Sequence, residues 1–161
     1  MPAARVEDVP PEFRGRLVSI IDQSFTGIYR WHARRTLRSV RWVRQAIQDG
    51  APVGLVMLTM LGQRTVYLYY LAVTPSRRGG GVGGTLLDDA LQVLHAAGVR
   101  ESFACAREDN TLSIKLLQSR DFVKTSFREL ARRRGPMAAA ALWVRMVVAP
   151  GETVFLKVIP D

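Results

Sequence analysis

The sequence has very little cysteine and no long hydrophobic run. Cys105 is the only cysteine among the 161 residues, which excludes an internal disulfide framework. A membrane-spanning helix needs about 20 consecutive apolar residues, and no stretch of the chain approaches that length. The first eight residues also lack the apolar core of a signal peptide. We therefore expect a cytoplasmic protein without a membrane partner.

Acidic residues are scarce relative to basic ones. The chain has 14 Asp and Glu against 23 Lys and Arg, so its formal net charge is +9. Such a balance favours anionic partners, among them phosphorylated cofactors and acidic substrates; the alternative is that the excess charge is only solvated surface. No helix-turn-helix, zinc or base-stacking signature is present, so nucleic acid is not an expected partner.

Length and hydrophobic periodicity predict one mixed α/β domain over residues 1–161. The predicted element order is α-α-β-β-β-α-β-α-β-β, a mixed sheet of the α+β type with its core over about 41–148. The last two strands of this order are expected at Phe122–Leu130 and Ala141–Val148, with a loop at Arg132–Pro136. The C-terminal extension 151–161 is expected to add an edge strand or to exchange with a second subunit in a homodimer.

Three consecutive strands precede the most informative part of the chain. They are predicted at Arg41–Ile47, Val53–Leu61 and Thr65–Val73, and Asp49-Gly50 between the first two is a hairpin signal. Short connections between consecutive strands predict an antiparallel meander.

A glycine-rich loop follows the third strand. Five glycines occur within the six residues 79–84, after Arg77 and Arg78 and before an amphipathic helix. Glycine lets backbone N–H groups turn toward a ligand without a side chain in the way, and a helix N-terminus adds a positive dipole end. This combination predicts a site for a phosphate or pyrophosphate group.

Two other interpretations of the loop explain less. A tight turn alone would need only one or two glycines. Residues 79–84 also satisfy the G-x-G-x-x-G pattern of dinucleotide-binding folds, but that pattern requires its first glycine directly after the first strand of a parallel βαβ unit. Here Thr74–Arg78 intervene and an antiparallel meander precedes the loop.

The loop and its flanks resemble the acyl-CoA pyrophosphate loop of the GNAT acetyltransferase superfamily. Residues 78–83 match the pattern R-x-x-G-x-G, and Leu71-Ala72-Val73-x-Pro75 precedes them as in that family. Further along, the segment from Asn110 to Phe122 resembles the family segment N-x-x-A-I-x-L-Y…G-F, with Ser113 in place of an alanine.

The resemblance implies a GNAT-like fold that uses acetyl-CoA as co-substrate and no metal. The loop amides and Arg78 would hold the CoA pyrophosphate, and the strand end at Leu71–Val73 would pair with the pantetheine arm. Asn110 would bond the pantetheine or cap the following helix. The CoA-binding residues so implied are Leu71, Ala72, Val73, Arg78, Gly79, Gly80, Gly81, Val82, Gly83, Gly84, Thr85, Asn110 and Ser113.

The catalytic residues are not identified by the resemblance. Many family members use a glutamate on the third or fifth strand as base and a tyrosine in the last helix as acid. Here Leu117 occupies the tyrosine position, and residues 65–70 contain no carboxylate. Catalysis by positioning alone, a substitute residue, and binding without catalysis all stay open. The substitute candidates are Tyr69, Tyr70 and Cys105, and the cysteine would need a lowered pKa to act as a nucleophile.

The acceptor region is indicated by basic and aromatic residues. In the family, the connection between the first two helices borders the acceptor groove, so Tyr29, Trp31 and His32 are expected to contact the acceptor. Arg133 and Arg134 are expected to close the groove from the other side, which would suit an acidic or phosphorylated acceptor. The predicted function is acetyl transfer from acetyl-CoA to a primary amine in a ternary complex. The alternative is an acyl-CoA-binding module without catalysis.

Overall fold

The computed structural model describes residues 2–161. Its strands are β1 (Arg5–Asp8), β2 (Trp42–Gln48), β3 (Ala51–Met60), β4 (Thr65–Val73), β5 (Glu101–Arg107), β6 (Val123–Thr125) and β7 (Glu152–Val158). Its helices are α1 (Val18–Ser24), α2 (Gly27–Ser39), α3 (Val82–Ala96), α4 (Thr111–Gln118), α5 (Phe127–Arg134) and α6 (Pro136–Met146). Over the described residues, the seven strands form one sheet in the order β1-β2-β3-β4-β5-β7-β6. The predicted fold class, a mixed sheet with helices, is confirmed.

The described chain forms two compact units. The first comprises residues 2–59 and 70–94, and the second comprises residues 60–69 and 95–161. The first unit therefore holds β1 to β3, α1, α2, the C-terminal end of β4 and most of α3. That the whole chain acts as one domain stays a prediction.

The predicted hairpin lies in the first unit. β2 pairs antiparallel with β3, with Trp42 opposite Leu58 and Gln48 opposite Ala51. The turn between them places Asp49 at φ 52° and Gly50 at φ 76°. Two successive positive φ angles are those of the tight turn that matches strand twist, which is why Asp-Gly is favoured here.

A buried arginine joins the N-terminal segment to the end of α2. Arg14 lies in a 3₁₀ segment, Pro11–Leu17, and is 5% exposed. Its Nε donates to the Val9 carbonyl at 3.3 Å, and its Nη1 donates to the Leu37 and Val40 carbonyls at 3.2 and 2.8 Å. Burial lowers the pKa of this guanidinium, but its carbonyl partners satisfy the N–H groups that would otherwise be costly to bury.

The C-terminal strand is an internal strand of the sheet in the second unit. β7 pairs along its whole length with β5, from Glu152 opposite Arg107 to Val158 opposite Glu101. Its other edge pairs with β6. The expectation of an edge strand at 151–161 is therefore wrong, whereas exchange of this segment with a second subunit stays a prediction.

The chain between β6 and β7 is helical, which corrects the second half of the predicted order. The strand predicted at Ala141–Val148 is wrong, because α6 covers residues 136–146, and the strand predicted at Phe122–Leu130 reduces to β6. The loop predicted at Arg132–Pro136 lies largely within the two helices. Within residues 2–161, no helix is both long and apolar enough to cross a membrane.

Candidate functional site

The glycine loop links the end of β4 to the start of α3 within the first unit. Thr74 N donates to the Val53 carbonyl at 2.8 Å, and a short 3₁₀ turn follows at Pro75–Arg77. Gly79 and Gly81 then adopt φ 79° and 82°, a region that other residues enter only with strain. A Cβ at either position would meet nothing within 4 Å, so backbone conformation rather than space requires glycine there.

The first turn of α3, directly after the loop, has backbone N–H groups without an acceptor inside the helix. Thr85 N donates to the Gly81 carbonyl at 3.0 Å, so Gly81 is the N-terminal cap position. The amides of residues 82–84 precede this first bond, and such amides have no acceptor in their own helix. They lie at the positive end of the helix dipole, which makes the loop suited to an anion.

Two arginines add positive charge beside these amides. The exposed Arg78 bends back so that its Nε donates to the Val73 carbonyl at 3.0 Å. Arg77 Nη2 donates to Asp49 Oδ2 at 3.0 Å. A cavity of about 230 Å³ lies against both arginines, Gly80 and Thr85, and its far wall is the N-terminal segment with Gln48. The loop therefore borders a cavity.

The helix behind the loop is anchored to the sheet of the same unit. Arg44 on β2 makes two parallel bonds to Asp89 on α3, with Nε to Oδ2 at 2.7 Å and Nη2 to Oδ1 at 2.9 Å. Both side chains are largely buried, and this bidentate geometry is the stronger form of ion pair. The N-terminus of α3 is thereby fixed in direction.

β4 continues beyond its pairing with β5. The parallel ladder joins Thr65–Leu68 to Glu101–Ala104, whereas β4 runs on to Val73. Behind this extension, a Cβ on Gly54 would lie 2.9 Å from the Ala72 carbonyl oxygen and 2.9 Å from Leu86 Cδ1. β3 therefore packs so closely behind Ala72 that only glycine fits at position 54.

A tyrosine and a histidine meet directly before that segment. The Tyr70 hydroxyl lies 2.8 Å from His32 Nδ1, and Thr36 Oγ1 lies 3.4 Å from the same nitrogen. The Tyr70 ring packs edge-on against Phe25, with centroids 5.0 Å apart. Burial, and secondarily the charge of Arg35, lowers the pKa of His32 below its ordinary value of 6.5, so the imidazole is neutral at pH 7.

The other aromatic acceptor candidates of α2 differ in exposure. Trp31 is 59% exposed and lies under the Arg35 guanidinium, 5.7 Å from its ring centroid, while Tyr29 is half-buried. The nearby Arg34 is paired with both carboxylate oxygens of Asp22. Of these arginines, Arg34 is therefore already neutralised by an acid.

Tyr69 and Cys105, in the second unit, face different surroundings from Tyr70. The Tyr69 hydroxyl donates to the Arg145 carbonyl at 3.4 Å, and burial raises the pKa of this tyrosine. Burial also raises the pKa of Cys105 to about 12, although a hydrogen bond with Tyr67 opposes the rise. Cys105 is therefore a protonated thiol at neutral pH, which disfavours its role as a nucleophile. The contact of Cys105 with Tyr67 is not predictable from any local sequence pattern.

The remaining candidates of the second unit have structural partners. Asn110 Oδ1 accepts from Ser113 N at 3.1 Å, so Asn110 caps α4 as expected. Arg134 pairs with Glu101 and lies over the Phe103 ring at 5.7 Å. Arg133 is exposed on the same helix, α5. The two arginines thus differ, since only Arg134 has an acidic partner among the described contacts.

Comparison with known sequences decides the family. The sequence model of the acetyltransferase (GNAT) family matches residues 8–122, which is most of the chain. The chain belongs to the GNAT acetyltransferase family. Its GNAT match includes β4, the glycine loop, α3 and the Asn110 cap. No curated protein sequence matches it significantly.

Solved GNAT structures share the fold over nearly the whole chain. The ribosomal-protein-S18-alanine N-acetyltransferase of Escherichia coli is 15% identical with a TM-score of 0.73, covering 99% of this chain and 96% of its own. The PaiA N-acetyltransferase of Thermoplasma acidophilum, solved with coenzyme A, is 13% identical with a TM-score of 0.71, at 98% and 99% coverage. An IAA acetyltransferase of Bacillus cereus is 15% identical with a TM-score of 0.73, at 97% and 99%. At these identities the likeness is one of fold.

Proposed function

We propose that this GNAT acetyltransferase moves an acetyl group from acetyl-CoA to a primary amine by direct attack in a ternary complex. The observation that carries the proposal is the loop at 78–84, with Gly79 and Gly81 at positive φ before the N-terminus of α3. CoA in the related PaiA N-acetyltransferase structure supports the choice of donor. The proposed compartment is the cytoplasm.

Each part of the donor is assigned a group of residues. The amides of Gly79 to Gly84, with the Arg78 guanidinium, are proposed to hold the pyrophosphate, and Val82 and Thr85 shape that turn. The backbone of Leu71–Val73 is proposed to pair with the extended, amide-rich pantetheine arm, because β4 continues past its ladder with β5. Asn110 and Ser113 are proposed as further CoA contacts from the start of α4.

The chemistry then balances without a covalent enzyme intermediate. The amine nitrogen attacks the thioester carbonyl, the C–N bond forms and the C–S bond breaks, and the amine proton ends on the departing CoA thiolate to give the free thiol. Holding both reactants in one site supplies several kcal/mol of the barrier reduction. The high pKa of Cys105 supports direct attack over a route through an acetyl-cysteine.

Replacing Cys105 with alanine is expected to leave acetyl transfer within about three-fold of wild type. The reason is that a buried, protonated thiol contributes no nucleophile. Intact-protein mass spectrometry after incubation with acetyl-CoA should show no acetyl group on the wild-type cysteine. A loss of turnover above about 100-fold in a folded variant, together with an acetylated wild-type Cys105, would show that the direct route is wrong.

The proposed acceptor is acidic or phosphorylated, and the proposed acceptor residues are Tyr29, Trp31, His32, Arg133 and Arg134. The exposed Arg133 on α5 offers the cleanest test, because Arg134 is paired with Glu101. We expect Arg133→Glu to raise the KM for an acidic acceptor about three-fold or more, while the KM for acetyl-CoA is unchanged.

The matched control for that prediction is Arg128→Glu. Arg128 is exposed on the same helix, but five residues away it points about 140° from Arg133, and the change in net charge is the same. An equal rise in KM for both variants would mean that only long-range charge acts. No rise in either would argue against an acidic acceptor.

Thiol release from acetyl-CoA over a panel of amines and peptides tests the proposed function. The panel should include neutral, acidic and phosphorylated primary amines, with the acetylated product identified by mass spectrometry. Stoichiometric formation of CoA and acetylated amine supports the enzyme. Tight binding of acetyl-CoA without turnover on any acceptor would instead favour the non-catalytic binding module.

A further inference from the structure

The contact between His32 and Tyr70 lies at the end of the Leu71–Val73 segment that is away from the glycine loop. With the pyrophosphate held by that loop, the proposed pantetheine arm would carry its thioester toward this end. Tyr70 is the last residue of β4 before Leu71–Val73, and its hydroxyl lies 2.8 Å from His32 Nδ1 on α2. Both residues belong to the first compact unit, which also holds the glycine loop. Both side chains are partly exposed, so the pair is buried enough to be ordered and open enough to meet a ligand.

We propose that Tyr70 is a catalytic residue of acetyl transfer and that His32 is the positioning residue that accepts its proton. This inference rests on the proposed function. The substrate class is a primary amine that enters beside α2, and the pair takes the place of the carboxylate that residues 65–70 of β4 lack.

The proton transfer can be written with every atom accounted for. The amine nitrogen forms its bond to the carbonyl carbon and becomes positively charged. Its proton passes to the Tyr70 oxygen while the Tyr70 proton passes to His32 Nδ1, giving an imidazolium. The C–S bond then breaks, and the CoA thiolate takes up the proton from the imidazolium through the same hydroxyl. The Tyr70 side chain thus ends in its starting form, and no oxidant or metal is required.

The surroundings of the imidazole keep it neutral, which is the form that can accept a proton. His32 must be neutral to receive a proton, and in its Nε2–H tautomer Nδ1 accepts from the Tyr70 hydroxyl. On α2 the charged group that acts on His32 is Arg35, which disfavours the imidazolium before reaction. From β4 the facing titratable group is Tyr70 itself, and Phe25 and Thr36 contribute no charge.

The test compares Tyr70→Phe, His32→Gln and their double variant with wild type, using the best amine from the panel. General acid–base groups contribute about 100- to 10,000-fold, so we expect each single variant to lower kcat about 100-fold. The Kd of acetyl-CoA should stay within about three-fold. Because the pair acts as a unit, the double variant should be no slower than the slower single one. His95→Gln, at the exposed second histidine, is the matched control and should equal wild type.

The pH profile separates a proton role from a structural one. In wild type, kcat should fall in acid at a pH lower than 6.5, the ordinary pKa of histidine, because the pKa of His32 is lowered and its protonation removes the proton acceptor. His32→Gln should lose this acidic limb, while the limb set by the amine's own pKa remains.

Several results would overturn the proposal, and they differ from failure of the proposed function. Turnover that persists within about three-fold in both single variants overturns the relay alone, as does a full acidic limb in His32→Gln. A loss seen in Tyr69→Phe but not in Tyr70→Phe does the same. Absence of turnover by wild type on every acceptor, with acetyl-CoA bound, overturns the enzyme and the relay together.

Discussion

Replacing Gly81 with valine is expected to weaken CoA binding by about 10- to 100-fold. Gly81 adopts φ 82° with nothing within 4 Å of a Cβ, so the added side chain is strained by the backbone rather than by crowding. A β-branched residue in such a conformation costs about 1–3 kcal/mol. The free loop would relax to avoid that cost, and CoA would have to restore it on binding, which lowers affinity by the same energy.

Gly98→Val is the matched control for this loop variant. Gly98 has φ 75°, also with nothing within 4 Å of a Cβ, but it follows the opposite end of α3. Gly98→Val should bind CoA as wild type does, whereas Gly81→Val should lose CoA affinity in a calorimetric titration. Equal CoA affinity in the two variants would contradict the assignment of the loop to the pyrophosphate.

Replacing Arg14 with alanine is expected to lower the free energy of unfolding by about 3 kcal/mol. The Arg14 side chain is 5% exposed. Its guanidinium donates hydrogen bonds to the carbonyls of Val9, Leu37 and Val40, and a longer one of 3.4 Å to the carbonyl of Arg41. Each buried carbonyl left without a donor costs about 1–3 kcal/mol, reduced where water can enter. The variant also loosens the end of α2, which carries His32.

Denaturant unfolding measures this loss, with Arg16→Ala as the matched control. Arg16 lies in the same 3₁₀ segment but is exposed and contacts only the Phe13 ring among the described interactions, at 4.6 Å. We expect Arg16→Ala to change stability by less than about 0.5 kcal/mol. A loss below about 1 kcal/mol for Arg14→Ala would mean that its carbonyl bonds are not a major source of stability.

Local chemistry makes several turns and helix caps predictable from the sequence. Asp49-Gly50 turns the first hairpin, Asn110 caps α4, and Gly79 and Gly81 take the positive φ angles that the loop requires. In each case a few adjacent residues restrict the backbone to one geometry. This local restriction is why the sequence predicts the hairpin, the loop and the family resemblance.

The region after residue 122 differs from the predicted strands because it carries two strong helix signals. Ser126 and Glu129 form a reciprocal capping box, with Glu129 N bonded to Ser126 Oγ at 3.2 Å, and S-x-x-E is its sequence signature. Pro136 then opens α6 at a first-turn position, ahead of Ala138–Ala141, and alanine is the best helix former. The mostly apolar residues 141–148 favour a strand, but the preceding helix signals outweigh them.

The pairing of His32 with Tyr70 could not be predicted from sequence. The two residues are separated by 38 positions, and no local rule relates a helix to a strand at that distance. Alternation along β4 indicates only that Tyr69 and Tyr70 face opposite ways. The tertiary fold decides that Tyr70 faces His32 and Phe25, while Tyr69 contacts the Arg145 carbonyl.

Titration of the wild-type chain with CoA, acetyl-CoA and NAD in a calorimeter tests whether the glycine loop belongs to a CoA site. NAD carries a pyrophosphate but no pantetheine arm, so it separates a CoA site from a general phosphate site. We expect one CoA or acetyl-CoA to bind per chain and NAD to bind at least about 100-fold more weakly. Failure to bind CoA, or equal affinity for NAD, would contradict the assignment of the loop to a CoA site.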